Sequence, residues 1–472
     1  MERARPASTM SRWGPHMVDE RTGAPLLTQA QCRGIFEKVE QAAKSRGISD
    51  VEALFAAHRD ALTRFANNTI HQNVAEQAQW LSIRVQVDGR TARATTNRFD
   101  PESIERAVEE AAALAGSVAP DDELLPMAGL APVPEVPRFD AATVAVSPRD
   151  RALAVRQAIA LVEAAGQTAA GIYSTGQTIE GIFNSHGVAA WHQETLAQFS
   201  ITAMAEDSSG WAKASAVAHG AFDPVDMARR ASEKARLSAK PREVPAGRYT
   251  VILEPAAVLD LVGQMFGDFS ATAMHDQRSF LTDRMGTKLF GENIHITDDV
   301  RHPLQAGVPF DGEGVARRKL TLVDGGVPRE LAYSRASAKR AGVEPTGHGF
   351  PLPNDVGEAP LNIVIAGGET SLERMIESTE RGILVTRLWY IREVEPYEKI
   401  MTGMTRDGTF LIEDGGVRLG LRNFRFNQGI IELLNHVEAL SPSVRASGEE
   451  AFDMVVPAMQ VRDFHFTEVT RF

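Results

Sequence analysis

Twelve histidines and sixty-two acidic residues supply raw material for a hydrolytic metal centre. Catalytic zinc takes three protein ligands and keeps one position open for water. A carboxylate near that water takes its proton. Written on a helix, this is H-E-x-x-H, or with one residue more H-E-x-x-x-H. No histidine in this chain is followed by glutamate, so neither form exists. His186 and His192 are the closest pair, six residues apart. On one helix that spacing puts the rings on different faces, and on one strand it separates them by about 20 Å. His295 and His302 run into Pro303. A zinc site would have to gather dispersed ligands such as His275, His295, His302 or His348. The default reading is histidines scattered over surface and core.

Other chemistries leave as little trace. There is no G-x-S-x-G elbow for a serine nucleophile. Neither G-x-x-x-x-G-K-[ST] nor G-x-G-x-x-G is present to cradle phosphates. Leu361 to Gly368 followed by Glu369-Thr370-Ser371-Leu372-Glu373 reads as strand, glycine turn and helix start. Such a start can hold an anion, but an ordinary helix capped by Thr370 or Ser371 is the simpler reading. Cys32, the single cysteine, sits in the first helix as a small buried hydrophobe rather than a nucleophile.

The elements that would position a site divide in two. A helical spacing begins at Thr28 and runs to about 46, and a strand-like block follows from Asp60 to Asn97, with a hairpin turn at Asp88-Gly89. Asp100-Pro101-Glu102 opens a helix to about Ser117. Pro120, Pro126, Pro132, Pro134 and Pro137 then mark a bridging loop. Ser147 caps a helix to about 165, residues 170–220 read as strands, and Asp223-Pro224 opens another helix. Pro241 to Pro245 marks a boundary. Beyond it come a strand from Tyr249 to Leu253, an amphipathic helix over about 255–269, and many short β-runs. Leu320–Val327 and Phe410–Val417 are both strand, Asp-Gly-Gly turn, strand. They are two independent hairpins or the trace of a duplication. The expected organisation is a disordered lead-in over 1–25, an N-terminal mixed α/β domain over 26–243, and a C-terminal β-rich, barrel-like domain over 244–472. The fold class is α+β.

Composition narrows the function classes. Of 472 residues, 43% are hydrophobic and 24% charged, as in ordinary soluble proteins. The net charge of −12 disfavours a nucleic-acid partner. One cysteine excludes a disulfide framework and suits a reducing cytoplasm. No apolar run approaches the length of a membrane span, and Met1 to Glu20 is not a signal peptide.

Five segments in order resemble the TldD/PmbA family, linked to zinc peptidase activity. They are Arg64–Gln72, Val308–Gly314 with Leu320–Val327, Gly367–Glu373, Arg381–Thr386 and Phe410–Gly415. The resemblance implies an N-terminal α/β unit and a C-terminal barrel-like unit. It also implies a heterodimer: a TldD-like chain carries H-E-x-x-x-H and a later cysteine as zinc ligands, and a PmbA-like (TldE) chain lacks them. The family's zinc helix is expected near Pro255–Phe269, where this chain reads Val258-Leu259-Asp260-Leu261-Val262-Gly263-Gln264. The cysteine is expected shortly before Phe410, where it reads Met401 to Gly408. The resemblance is therefore to the PmbA-like partner, with no catalytic residues and no metal of its own, and with zinc in a TldD-like subunit.

Such a chain would contribute binding, holding an extended peptide against a sheet edge. Asp311 and Glu313 in the Phe310–Gly314 loop, with Gly347 and His348, are the candidates for a substrate-binding or interface surface; the alternative is that all four are turn residues. The expected partners are a TldD-like subunit and small or unfolded peptides, with no nucleic acid and no membrane. Two other readings remain: a metallopeptidase active alone through dispersed ligands, and a non-proteolytic binding or regulatory protein.

Overall fold

The computed structural model describes residues 26–470; the expected lead-in over 1–25 lies outside the described residues. The first half of the chain writes one order of elements twice. Thr28 and Gln31 cap each other reciprocally and open α1, Gln29–Lys44. Three strands follow: β1, Asp50–Ala66; β2, Thr69–Val87; and β3, Arg90–Thr96. The Asp88-Gly89 turn has φ of 49° and 70°, the positive values a tight hairpin requires. The Asp100 cap and Pro101 then start α2, Pro101–Ser117. After the proline-rich crossing and a short α3, Ala141–Ala145, the order repeats. It runs α4, Pro148–Ala164; β4, Thr168–Asn184; β5, Ala189–Met204; β6, Ser209–Ala216; and α5, Pro224–Leu237.

β1 pairs antiparallel with β4, which fuses the two triplets into one sheet of order β3-β2-β1-β4-β5-β6. Side chains alternate between the faces of a strand. Phe55, Ile83, Ile179 and Phe183 face α1 and α2, while Tyr173, Phe199 and Ile201 face α4 and α5. All these positions are odd-numbered. The even-numbered face, with Leu54, Ala56, Ser82, Glu180, Glu194 and Leu196, turns toward the C-terminal half. β1 begins ten residues earlier than the strand block read from sequence, at Asp50. Its Ala-rich start has little strand propensity, but it is paired on both sides, by β2 and β4.

The C-terminal half begins with β7, Gly247–Leu253, and α6, Pro255–Val262. It continues with α7, Ala271–His275; β8, Ile296–Asp298; β9, Leu320–Asp324; β10, Val327–Pro328; α8, Arg335–Ala341; and β11, Ile363–Ile365. Then come α9, Leu372–Ser378; β12, Arg381–Glu395; β13, Ile400–Glu413; β14, Gly416–Gly420; and β15, Phe424–Gly429. The last are α10, Ile430–Asn435; β16, Val437–Leu440; β17, Val444–Ala446; β18, Met454–Val456; and β19, Met459–Val469. β12, β7, β19, β15 and β13 pair in turn, and β13 returns to β12, closing a five-stranded barrel. A second sheet runs β10-β9-β8-β11-β18-β17. The two Asp-Gly-Gly hairpins fall in different sheets, β9–β10 in the second and β13–β14 on the barrel, as independent hairpins would. The class is α+β. No helix among the described residues is long and apolar enough to cross a membrane.

The helix expected over 255–269 is α-helical only to Val262 and tightens into a 3₁₀ turn from Gly263 to Phe269. Val258, Leu261, Val262 and Met265 are fully buried in the C-terminal core. The two halves meet along β6. Ser209 donates to Asp407 at 2.6 Å, and Arg387 Nε donates to the same carboxylate at 2.9 Å. Lys213 donates to the Gly448 carbonyl at 2.6 Å, and Ser215 donates to Asp453.

Candidate functional site

Between the even face of the N-terminal sheet and the C-terminal loops lies a cleft of about 840 Å³. Its floor is Leu54, Ala56, Trp80, Glu180, Glu194 and Leu196, set by strand register: Ala56 pairs with Trp80 and with Glu180, and Glu180 with His192. Its roof comes from 305–317, 349–351 and 361–362, with Arg445, Phe452 and Asp453 at one end. Most charged groups here have partners. Arg93 donates to Glu52 at 2.7 Å and to the Ser82 and Leu352 carbonyls. Arg445 donates to Ser215 and Asp453. Glu194 accepts the Gly307 N–H at 2.7 Å. Burial pushes Glu194 up, but His192 and that N–H outweigh it and hold the carboxyl below its ordinary range. Burial pushes Glu180 up as well, and the like charge of Glu194 adds to it, so Glu180 stays above its range.

Of the sequence candidates, Asp311 lines this cleft, while Glu313, Gly347 and His348 stand behind it. Asp311 Oδ1 accepts the Glu313 and Val315 N–H groups, and Oδ2 accepts that of Gly349, each at 2.9 Å. Burial still holds its carboxyl above the ordinary range. Glu313 accepts the Arg335 N–H at 3.2 Å, and burial with the Asp311 charge pushes it up to about 7. Gly347 has φ of 74°, and a Cβ there would lie 2.2 Å from the Ala316 carbonyl, so no other residue fits. His348 is buried, with Nδ1 2.9 Å from Thr346 Oγ1. Its Nε2 lies 3.2 Å from Oδ1 of the equally buried Asp298. These residues brace the roof loops from within.

A catalytic zinc does not fit the residues present. On and just past α6 the chain offers Asp260 and Gln264, and both hold a loop. Asp260 Oδ1 accepts the Glu449 and Glu450 N–H groups at 2.9 Å, and Gln264 Nε2 donates to the Asp260 and Glu450 carbonyls at 3.1 Å. Asp260 is fully buried, which pushes its carboxyl up to about 6 against the pull of those N–H groups. Met401–Gly408, where the family's cysteine is expected, is barrel wall in β13. The segment lying on Asp260 is Gly448–Glu450 instead, and it has no cysteine either. Cys32 is buried in α1, its thiol pushed up to about 12 by burial. His275 stands exposed beside Asp276, His295 beside Asp324, and His302 accepts the Leu304 N–H. Among the described residues, no group of three or more His, Cys, Asp or Glu side chains is placed to hold a metal ion.

The groups that sequence reasoning missed are Glu180, His192, Glu194 and Arg317. For the first three a signal existed. Glu180 follows the apolar Ile179 and His192 the apolar Trp191 on long strands, and Glu194 continues the same even-numbered face, which marks a face turned to something other than helices. Arg317 sits in a loop with no periodicity to betray it.

Comparison with known proteins finds likeness along most of the chain. Residues 51–115 match the PmbA/TldA metallopeptidase domain 1, 140–239 the central domain, and 246–468 the C-terminal domain. A metalloprotease of Methanothermobacter thermautotrophicus is 25% identical over 280 residues, 56% of this chain and 60% of that protein. The metalloprotease PmbA of Escherichia coli O157:H7 is 26% identical over 329 residues, 65% of this chain and 69% of that protein. The crystal structure of TldE from Thermococcus kodakarensis superposes with a TM-score of 0.84 at 22% identity, covering 92% of this chain and all (100%) of that one. With its three domain matches in order and the fold shared throughout, the chain belongs to the PmbA/TldD family of metallopeptidase-related proteins.

Proposed function

We propose that this chain is the non-catalytic member of a two-chain cytoplasmic metallopeptidase. Its partner is a TldD-like chain that carries the zinc, and the pair acts on small or unfolded peptides. The observation that carries this reading is the clasp on α6. Where a zinc helix needs ligands and open space for water, Asp260 and Gln264 bind the backbone of Gly448–Glu450. A carboxylate that accepts two backbone N–H groups in a fully buried site organises a loop; it is not free to activate water. Family membership supplies the complementary argument, since a family named for metallopeptidase activity needs its metal in some chain.

The experiment is reconstitution. The chain is co-expressed with a family member bearing H-E-x-x-x-H, and association is read by gel filtration at micromolar concentration. An obligate pair should bury about 2,000 Å² or more. Peptide hydrolysis should require both chains and disappear with a chelator. Separate elution of the two chains would end the subunit reading, and chelator-sensitive hydrolysis by this chain alone would replace it.

A further inference from the structure

Two charged groups in the cleft have no partner. Glu180 opens onto the cleft, whose walls enclose its carboxylate enough to desolvate it, and that carboxylate forms no hydrogen bond or ion pair. Arg317 lines the opposite, C-terminal side; its Nε and Nη1 are buried and have no hydrogen-bond partner. The two form no ion pair with each other, though each lies within the other's electrostatic reach. His192, the cross-strand neighbour of Glu180, is 6% exposed and sits behind this pair, its Nε2 3.9 Å from Glu194, an ion-pair rather than a hydrogen-bond distance. Buried N–H groups left without an acceptor are uncommon, and each points to something that completes it.

The walls say what kind of molecule that is. Trp80, Leu196, Leu361 and Phe452 each leave more than a third of their surface exposed, and all four line the cleft. A volume of about 840 Å³ is in the range of small-molecule sites. The complement of a free carboxylate on one side, a free guanidinium on the other and apolar walls between is a molecule with a cation at one end and an anion at the other.

We propose that this cleft binds a short zwitterion, an amino acid or a short peptide with free ends, through its ammonium to Glu180 and its carboxylate to Arg317. Peptide fragments and free amino acids share this chemistry, and the length of the best ligand separates them. The site is complete within this chain, so it does not depend on the pairing proposed above. Failure of one leaves the other standing.

The test is calorimetry on the full chain with four probes: free leucine, the tripeptide Leu-Gly-Gly, its N-acetyl form and its C-terminal amide. Each cap should weaken binding of the tripeptide by about tenfold or more, the scale of one hydrogen bond to a charged group. Glu180→Gln should abolish the penalty for N-acetylation and leave that for amidation; Arg317→Gln should do the reverse. Circular dichroism and melting of both variants establish that they fold. Tighter binding of leucine than of the tripeptide assigns the site to amino acids, and the opposite order assigns it to peptides. Equal binding of capped and free ligands would overturn the proposal. So would full displacement by inorganic phosphate, which would make this a general anion site, or no binding at millimolar concentration to a folded chain.

Discussion

The N-terminal sheet and the C-terminal barrel dispose of their strand edges in opposite ways. The barrel closes on itself through β12 and β13, so its inner strands leave no edge. The N-terminal sheet stays open, ends on the short strands β3 and β6, and relies on a neighbour: β6 lies against β13 and β17. The cores follow the same division. A large cluster and a small one around Ile252, Met375 and Phe410 fill the C-terminal half, while two clusters lie under the two helix pairs of the N-terminal half. The lesson is that the barrel leaves no strand edge to cover, whereas the edges of the open N-terminal sheet are managed by length and by neighbours.

The largest expected effect tests that dependence. Asp407→Ala removes the acceptor shared by Ser209 and the buried Arg387, leaving a guanidinium unpaired against Trp211 and Trp389. Breaking a buried pair this way should cost about 3–5 kcal/mol in urea unfolding. A loss under about 1 kcal/mol would mean that the β6 edge needs no such tie. Within the barrel half, Leu261→Ala opens a cavity in the main core and should destabilise by about 2–5 kcal/mol. An unchanged melt would contradict that packing.

The third prediction lies on the loops between the halves. Glu313 has a carboxyl raised from 4.5 to about 7 in the folded chain, so the native state holds its proton more tightly than the unfolded state. The stability this contributes is fully present below about 4.5 and is lost as pH rises to 7. Glu313→Gln, always neutral, should remove that decline, worth about 3 kcal/mol. Unfolding curves at the two ends of the window would compare the slopes, and parallel slopes would refute it. The smallest effect is at the sheet's far end. Thr28→Ala deletes the reciprocal cap of α1 and should cost about 1 kcal/mol, read as a small drop in melting temperature.

The two halves also differ in what their sequence discloses. α2, α4 and α5 start where Asp100-Pro101, Ser147-Pro148 and Asp223-Pro224 say they start, because a cap is a local signal. The Asp88-Gly89 hairpin is local in the same sense. The doubled α-β-β-β-α order was not legible, since the two copies share element order rather than recognisable residues. The closure of β12 on β13 and the clasp of Asp260 on Glu449 join segments far apart in the chain, and no spacing announces them. The site divides likewise. Asp311 was visible as an acid in a glycine-rich loop, whereas the isolation of Glu180 and Arg317 exists only once the sheet face and the loops are brought together.

β2 is paired on its outer side along only part of its length. β3 covers it only from Leu81 onward, so between Thr69 and Trp80 the outer rung of the sheet meets no strand among the described residues. A bare rung of this length is a template on which a second molecule could grow its own sheet. The chain sets Glu76 directly opposite Asp60, two like charges that weaken their own ladder, and surrounds them with Gln72, Asn73, Gln77 and Gln79. Charges on an uncovered edge oppose such pairing. Replacing Asp60 and Glu76 by threonine should tighten the hairpin and at the same time turn a dispersed solution turbid on concentration, which light scattering would register.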